Sequence, residues 1–258
     1  MTGSIVTPSP ALETRGLTIR FGGHVAVDDV SCRFTPGTLT AIVGPNGAGK
    51  TTYFNLISGQ LPASAGRVLV EGEDITGLSP SARTGKGLGR AFQLTNLFPQ
   101  LTALENVRLA VQSRAEAGWS LFKVWNGRRD LIEKAESILE RVRLADKRHV
   151  APKALSHGDQ RKLEVALLIA LEPKVFMFDE PTAGMSVDEV PTVLELIHDL
   201  KALGDRTILL VEHKMDVVRS LADRIVVLHN GALVADGEPA TVIASPIVQE
   251  AYLGVAAA

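Results

Sequence analysis

Apolar and polar positions change period several times along these 258 residues, and the changes outline the elements. Leu17-Thr18-Ile19-Arg20-Phe21 alternates with period two and stops at Gly22-Gly23, which predicts a strand and a turn. His24 to Phe34 alternates more loosely until Pro36-Gly37, and Leu39 to Val43 is a short apolar run that enters a glycine-rich loop. Lys50 to Gly59 predicts the helix that follows. Arg67 to Val70 and Asp74-Ile75 predict a hairpin flanked by Gly66, Gly72 and Gly77. From Leu101 to about Leu144 the spacing shifts to three and four, through Leu104, Val107, Leu109 and Val111, then Leu131, Ile132, Ile138, Leu139 and Val142, which predicts helices. Strand signals return at Val175 to Phe178, Thr207 to Val211 and Ile225 to Leu228, with helical segments predicted at Gln160 to Leu171 and Val187 to Leu203. Strand–helix alternation on both sides of a helical stretch predicts an α/β fold, a parallel sheet interrupted by a helical insert.

Composition narrows the class without changing this picture. The chain is 45% hydrophobic and 22% charged, as expected of a globular protein with an ample core. A formal net charge of -2 gives no reason to expect a nucleic-acid partner. Cys32 is the single cysteine and cannot form an internal disulfide, so a reducing compartment is expected. Residues 1–11 carry Pro8 and Pro10 among Ser and Thr and are expected to be a flexible leader; they lack the basic and apolar regions of a signal peptide. The longest apolar runs, such as Val165 to Leu171, are far shorter than the roughly 20 residues that span a bilayer, so any membrane role is expected to come through a partner.

The chemistry is concentrated at strand ends. Gly44-Pro45-Asn46-Gly47-Ala48-Gly49-Lys50-Thr51 fits G-x-x-x-x-G-K-[ST] without a mismatch, and Thr52 follows. Glycines let backbone N–H groups converge on a phosphate at a helix N-terminus, where unpaired donors and the helix dipole favour anions. Lys50 is expected to reach the β- and γ-phosphates of ATP, and the Thr51 hydroxyl to ligate Mg²⁺. Val175-Phe-Met-Phe-Asp179-Glu180 is an apolar strand ending in two carboxylates. Asp179 is then placed to hold Mg²⁺ through water, and Glu180 to polarise an attacking water as general base.

Three residues acquire meaning beside these. Gln93 stands where the sheet region gives way to the helical insert and suits a contact with metal or water; the alternative is a solvated surface amide. His213 follows the run Ile208 to Val211 and suits a donor to the γ-phosphate. Phe21 suits stacking on adenine, or else a place in the core. His24, His149, His198 and His229 lack such placement and are assigned to surface or packing.

In this order, the phosphate loop, Gln93, Leu155-Ser156-His157-Gly158-Asp159, Asp179-Glu180-Pro181-Thr182 and His213 resemble the ATP-binding-cassette ATPase subunits over about Leu12 to Gly237. Leu155 to Asp159 stands where that family's signature, usually Leu-Ser-Gly-Gly-Gln, belongs. The resemblance implies a phosphate-loop, RecA-like core with a mostly parallel sheet, an antiparallel β portion and an inserted helical subdomain. It divides the chain into a cassette over 12–240, with catalytic core at 12–93 and 160–240 and helical subdomain at 94–159, and a tail at 241–258. It also implies that Ser156 and the Gly158 N–H bind the γ-phosphate of ATP held by a second ATPase subunit, a paralogue or a copy of this chain. Two transmembrane permease subunits and, indirectly, a solute-binding protein follow as partners, with the chain cytoplasmic and peripheral on the inner face of the membrane.

The sequence departs from the family pattern at His157 for glycine, Asp159 for glutamine, Ser186 for the aspartate after Glu180-Pro-Thr-Ala-Gly-Met, and Phe21 for the frequent tyrosine. Phe21-Gly-Gly-His-Val-Ala-Val, Ala91-Phe-Gln-Leu-Thr-Asn-Leu-Phe, Glu212-His-Lys-Met and Ala251-Tyr-Leu-Gly resemble the larger ATPase subunit of branched-chain amino-acid uptake systems. The insert Ala115 to Asp130, with Trp119, Phe122 and Trp125, points the same way. Urea, amide or lipopolysaccharide transport and a non-transport regulatory role are the alternative functions.

Overall fold

A computed structural model describes residues 9–91, 97–115 and 129–253, the last three of these for backbone only. Its contacts divide the chain into two units. The first comprises Met1–Leu88, Lys174–Glu180 and Lys201–Ala258; the second comprises Gly89–Pro173 and Pro181–Leu200.

In the first unit, β1 (Leu12–Phe21) and β2 (His24–Phe34) form an antiparallel pair joined at the Gly22-Gly23 turn, with Phe21 opposite His24. Strands β4 (Ala65–Val70) and β5 (Glu73–Asp74) extend this sheet in the order β2-β1-β4-β5. A second sheet contains β3 (Leu39–Val43), β7 (Val175–Asp179), β8 (Thr207–Val211), β9 (Arg224–His229) and β10 (Ala232–Gly237). Its order within this unit is β10-β9-β3-β8-β7, and β6 (Leu88–Ala91) is the strand in which the two units divide. Strand β3 runs parallel to β8 and β9, β7 runs parallel to β8, and β10 is antiparallel to β9.

Strict alternation along β3 sends its side chains to two different cores. Ile42 joins a cluster that contains Leu12, Leu17 and Phe34 of the antiparallel sheet and Tyr53, Phe54 and Ile57 of α1 (Lys50–Ser58). Ala41 and Val43 face a second cluster. There they meet Val218 of α7 (Met215–Leu221), Val242 of α8 (Pro239–Ile243) and Val248 of α9 (Pro246–Leu253). The parallel strands are buried on both faces, which is why they appear in the sequence as unbroken apolar runs. Cys32 lies within the first core, where burial pushes its thiol up to about 11; a thiol held protonated in this way is a poor nucleophile.

The second unit is helical: α3 (Ala103–Ala115), α4 (Arg129–Arg141) and α5 (His157–Ala170) pack through Val107, Val111, Leu131, Ile138, Leu139 and Leu163. Helix α6 (Val190–Ala202) follows β7, and a short α2 (Pro80–Gly85) precedes β6. Two helix starts differ from the sequence expectation. Helix α5 begins at His157 rather than Gln160, because the Ser156 hydroxyl caps it by accepting the Asp159 N–H at 3.1 Å. Helix α6 begins at Val190 rather than Val187, because Ser186 and Glu189 close a turn first, the Glu189 N–H bonding the Ser186 carbonyl at 3.1 Å.

Candidate functional site: a phosphate cradle facing a glutamate–histidine pair

The phosphate loop connects β3 to α1, and backbone shape rather than side chains forms it. Gly44 has φ 154°, and a Cβ there would lie 2.2 Å from the Leu228 carbonyl oxygen, so only glycine lets the loop pass β9. The loop leads into the first turn of α1, and at such a helix start unpaired N–H groups and the dipole favour anions. Lys50, at the first position of α1, is 5% exposed and donates from Nζ to the Gly44 carbonyl at 2.7 Å and the Pro45 carbonyl at 2.9 Å. Burial holds its ammonium below the usual lysine range, while the carboxylates of Glu180 and Asp179 act in the opposite direction.

The carboxylates arrive from β7. Asp179 is the last residue of that strand, is 7% exposed, and pairs in register with Val211 at the end of β8. Glu180 turns out of the sheet with φ 50°, its N–H bonding the Val211 carbonyl at 3.0 Å. A non-glycine residue held at positive φ just beyond a strand is a position of local strain, a feature that often accompanies function. His213 leaves β8 two residues after Val211, and its Nε2 lies 2.6 Å from Glu180 Oε1. The buried Glu212 fixes this corner: its Oε2 accepts the backbone N–H of His213 at 2.8 Å and of Lys214 at 3.2 Å.

A cavity of about 330 Å³ collects these groups, lined by residues 46–52 of the loop together with Glu180, His213, Ala26 and His24. The loop and Lys50 thus share one space with a carboxylate–imidazole pair. Mg²⁺ in phosphoryl-transfer sites usually takes one or two protein oxygens, with phosphate and water completing the shell. The half-buried Thr51 hydroxyl and the Asp179 carboxylate fit that description as hard oxygen donors, and no group of three or more His, Cys, Asp or Glu arranged for a metal occurs among the described residues.

The structure therefore brings together Asn46 to Thr52, Glu180 and His213, with Asp179 on the adjoining strand end. Phe21 stands at the mouth of the β1–β2 turn, 50% exposed and outside the cavity lining. His24, which the sequence reading assigned to surface or packing, is an exposed residue that lines the cavity. Its pairing opposite Phe21 across a two-glycine turn was the available signal. Gln93, Trp119, Phe122 and Trp125 lie outside the described residues.

Ser156 and Gly158 belong to the second unit. The exposed Ser156 hydroxyl and the Gly158 N–H mark the start of α5. Asp159 is buried behind them, paired with Lys147 at 2.5 Å and Lys162 at 3.0 Å. Burial pushes its carboxyl up, but the two lysines outweigh this and hold it below the ordinary aspartate range.

Comparison with known proteins identifies the family. Residues 27–183 match the family model described as ABC transporter. The chain is 38% identical to the high-affinity branched-chain amino acid transport ATP-binding protein BraF of Pseudomonas aeruginosa, covering 96% of this chain and 99% of that protein. It is 36% identical to the corresponding LivG protein of Escherichia coli K12, again over 96% and 99%. Among solved structures it is similar to the ADP conformation of an ATP-binding cassette of an ABC transporter, with TM-score 0.80, 32% identity and coverage of 95% and 99%. The chain belongs to the ABC transporter family, as one of its ATP-binding cassettes. It is an ATPase cassette of α/β phosphate-loop fold, and none of its described helices is long and apolar enough to cross a membrane.

Proposed function

We propose that this cassette powers uptake of branched-chain or related amino acids, hydrolysing MgATP against transmembrane permease subunits on the inner face of the cell membrane. The 2.6 Å contact between Glu180 and His213, opposite Lys50 and the phosphate loop in one cavity, carries the hydrolytic part of this reading. Glu180 orients the attacking water and accepts its proton. His213 holds the Glu180 carboxylate and stands ready to donate to the γ-phosphate as charge develops there. Lys50 exchanges its two carbonyl partners for β- and γ-phosphate oxygens. Thr51 and Asp179 would hold Mg²⁺, which supplies charge neutralisation on those phosphates.

Gln93 is assigned to the metal or water, Phe21 to adenine, and Ser156 with Gly158 to the γ-phosphate of nucleotide on a second ATPase subunit. The cargo assignment rests on BraF and LivG, whose names state branched-chain amino acid transport. The test is to isolate the membrane complex and measure which solute, presented by its binding protein, stimulates ATP turnover. Glu180→Gln is expected to abolish turnover while ATP still binds. Stimulation by urea or amides and not by branched-chain amino acids would remove the cargo assignment.

A further inference from the structure

The signature donors are already engaged by an anion of this same chain. Glu189 Oε1 accepts the Gly158 N–H at 3.1 Å and the Ser156 hydroxyl at 3.4 Å. Its other oxygen, Oε2, accepts the Ser186 N–H at 3.3 Å and the Ser186 hydroxyl at 3.0 Å. Hydrogen bonds with Ser186 and the Gly158 and Ser156 donors hold the Glu189 carboxyl below the usual glutamate range.

Half of this arrangement has a purely structural explanation. Ser186-Val187-Asp188-Glu189 is the turn that leads into α6, and its S-x-x-E spacing lets the glutamate reach back to the Ser186 N–H and hydroxyl. That explains Oε2 and the turn before α6. It does not explain Oε1, which lies against the start of a different helix. There it occupies two donors with no spare capacity: Gly158 has one N–H, and the Ser156 hydroxyl has one proton, its oxygen already accepting the Asp159 N–H. A Cβ on Gly158 would lie 2.4 Å from Glu189 Oε1, so the absence of a side chain there is what admits the carboxylate.

The geometry points to Glu189 as a resident counter-anion of the signature, one that must leave before a second subunit's γ-phosphate can bind. This rests on the reading that Ser156 and Gly158 receive that phosphate. Both anions need the same two protons, and their charges repel, so occupancy is exclusive. Glu189 is half-buried and holds the site through hydrogen bonds at 3.1 and 3.4 Å, which makes the contact reversible. Once displaced, it remains tethered through Oε2 to Ser186, in the turn that follows Glu180-Pro181. The apparent affinity for closure is then reduced by the fraction of subunits in which the carboxylate is seated.

The test uses full-length chains carrying Glu180→Gln, with MgATP-driven association followed by sedimentation, alone and with the paired ATPase subunit. Adding Glu189→Gln keeps an oxygen for Ser186 and removes the charge, and Glu189→Ala removes both. Half-saturating ATP for association is expected to fall about threefold to tenfold in Glu189→Gln, with ATP binding to the unassociated chain unchanged. Thermal unfolding of each variant separates loss of the helix-start contact, expected only for Glu189→Ala, from loss of the counter-anion. Ser156→Ala tests the underlying reading: if association is insensitive to it, Ser156 does not receive phosphate and that reading fails. If Ser156→Ala weakens association but Glu189→Gln leaves the ATP midpoint in place, the reading stands and the role of Glu189 is overturned. A midpoint that shifts only in parallel with ATP binding to the single chain overturns it equally.

Discussion

At the scale of single residues, two positions show backbone and charge setting function and stability separately. Gly44 has nowhere to put a methyl group, because the Leu228 carbonyl is fixed by the β-ladder. Gly44→Ala is expected to shift the loop and weaken ATP binding by more than tenfold, with the circular dichroism of the fold retained; equilibrium binding of a fluorescent ATP analogue checks this. Glu13 is the charged counterpart. Hydrogen bonds from Arg15 at 2.7 Å and Arg33 at 2.9 Å, against the cost of burial, lower its carboxyl from 4.5 to about 2. A carboxyl depressed in the folded state stabilises the protein above its unfolded value and loses that contribution on acidification. Between pH 4.5 and about 2, wild type should therefore lose stability that Glu13→Gln never had. Both arginine side chains are more than half exposed, which limits the difference at pH 7 to about 1 kcal/mol by urea unfolding.

At the scale of elements, Arg83 shows how the phosphate-loop helix is closed at its far end. It is 3% exposed and donates to the Leu56 and Ile57 carbonyls of α1 at 2.7 Å each, and to those of Thr76 at 2.6 Å and Leu78 at 3.1 Å. Carbonyls in the last turn of a helix lack intrahelical partners, and a planar cation placed there satisfies them and the dipole together. Arg83→Met should cost about 3 kcal/mol in chemical unfolding, and Arg83→Lys nearly as much, since one ammonium cannot reproduce the guanidinium fork.

No sequence signal marked this arginine, because its partners are main-chain atoms. The same limit explains which elements were legible. Strands β3, β7, β8 and β9 were visible because burial on both faces demands unbroken apolar runs. Strand β10, which is half-exposed, and β6, with Gly89 and Arg90 in its four residues, carry too little contrast. Helices α2 and α7 are too short for a 3.6-residue period to emerge. The site was legible to the extent that loop geometry and strand ends depend on local sequence. Glu189 was not, because its neighbours are set by packing between helix starts.

At the scale of the whole molecule, the residues assigned to ATP fall in different units. The phosphate loop, Asp179, Glu180 and His213 all belong to the first unit, whereas Ser156, Gly158 and Glu189 belong to the second. If the signature serves a partner's nucleotide, a single chain should bind ATP without its own Ser156. Ligand bound only to the folded state stabilises it by about 2.7 kcal/mol at a hundredfold excess over Kd. Glu180→Gln chains with saturating MgATP should therefore gain about that much stability, and Glu180→Gln/Ser156→Ala chains the same amount at concentrations where neither associates. At higher protein concentration the two should part. The first should gain further stability as chains pair, and the second should not, since only the pairing uses the signature. Thermal unfolding across a protein dilution series, with and without MgATP, measures both. A loss of ATP protection in the dilute double variant would show instead that Ser156 serves the nucleotide of its own chain.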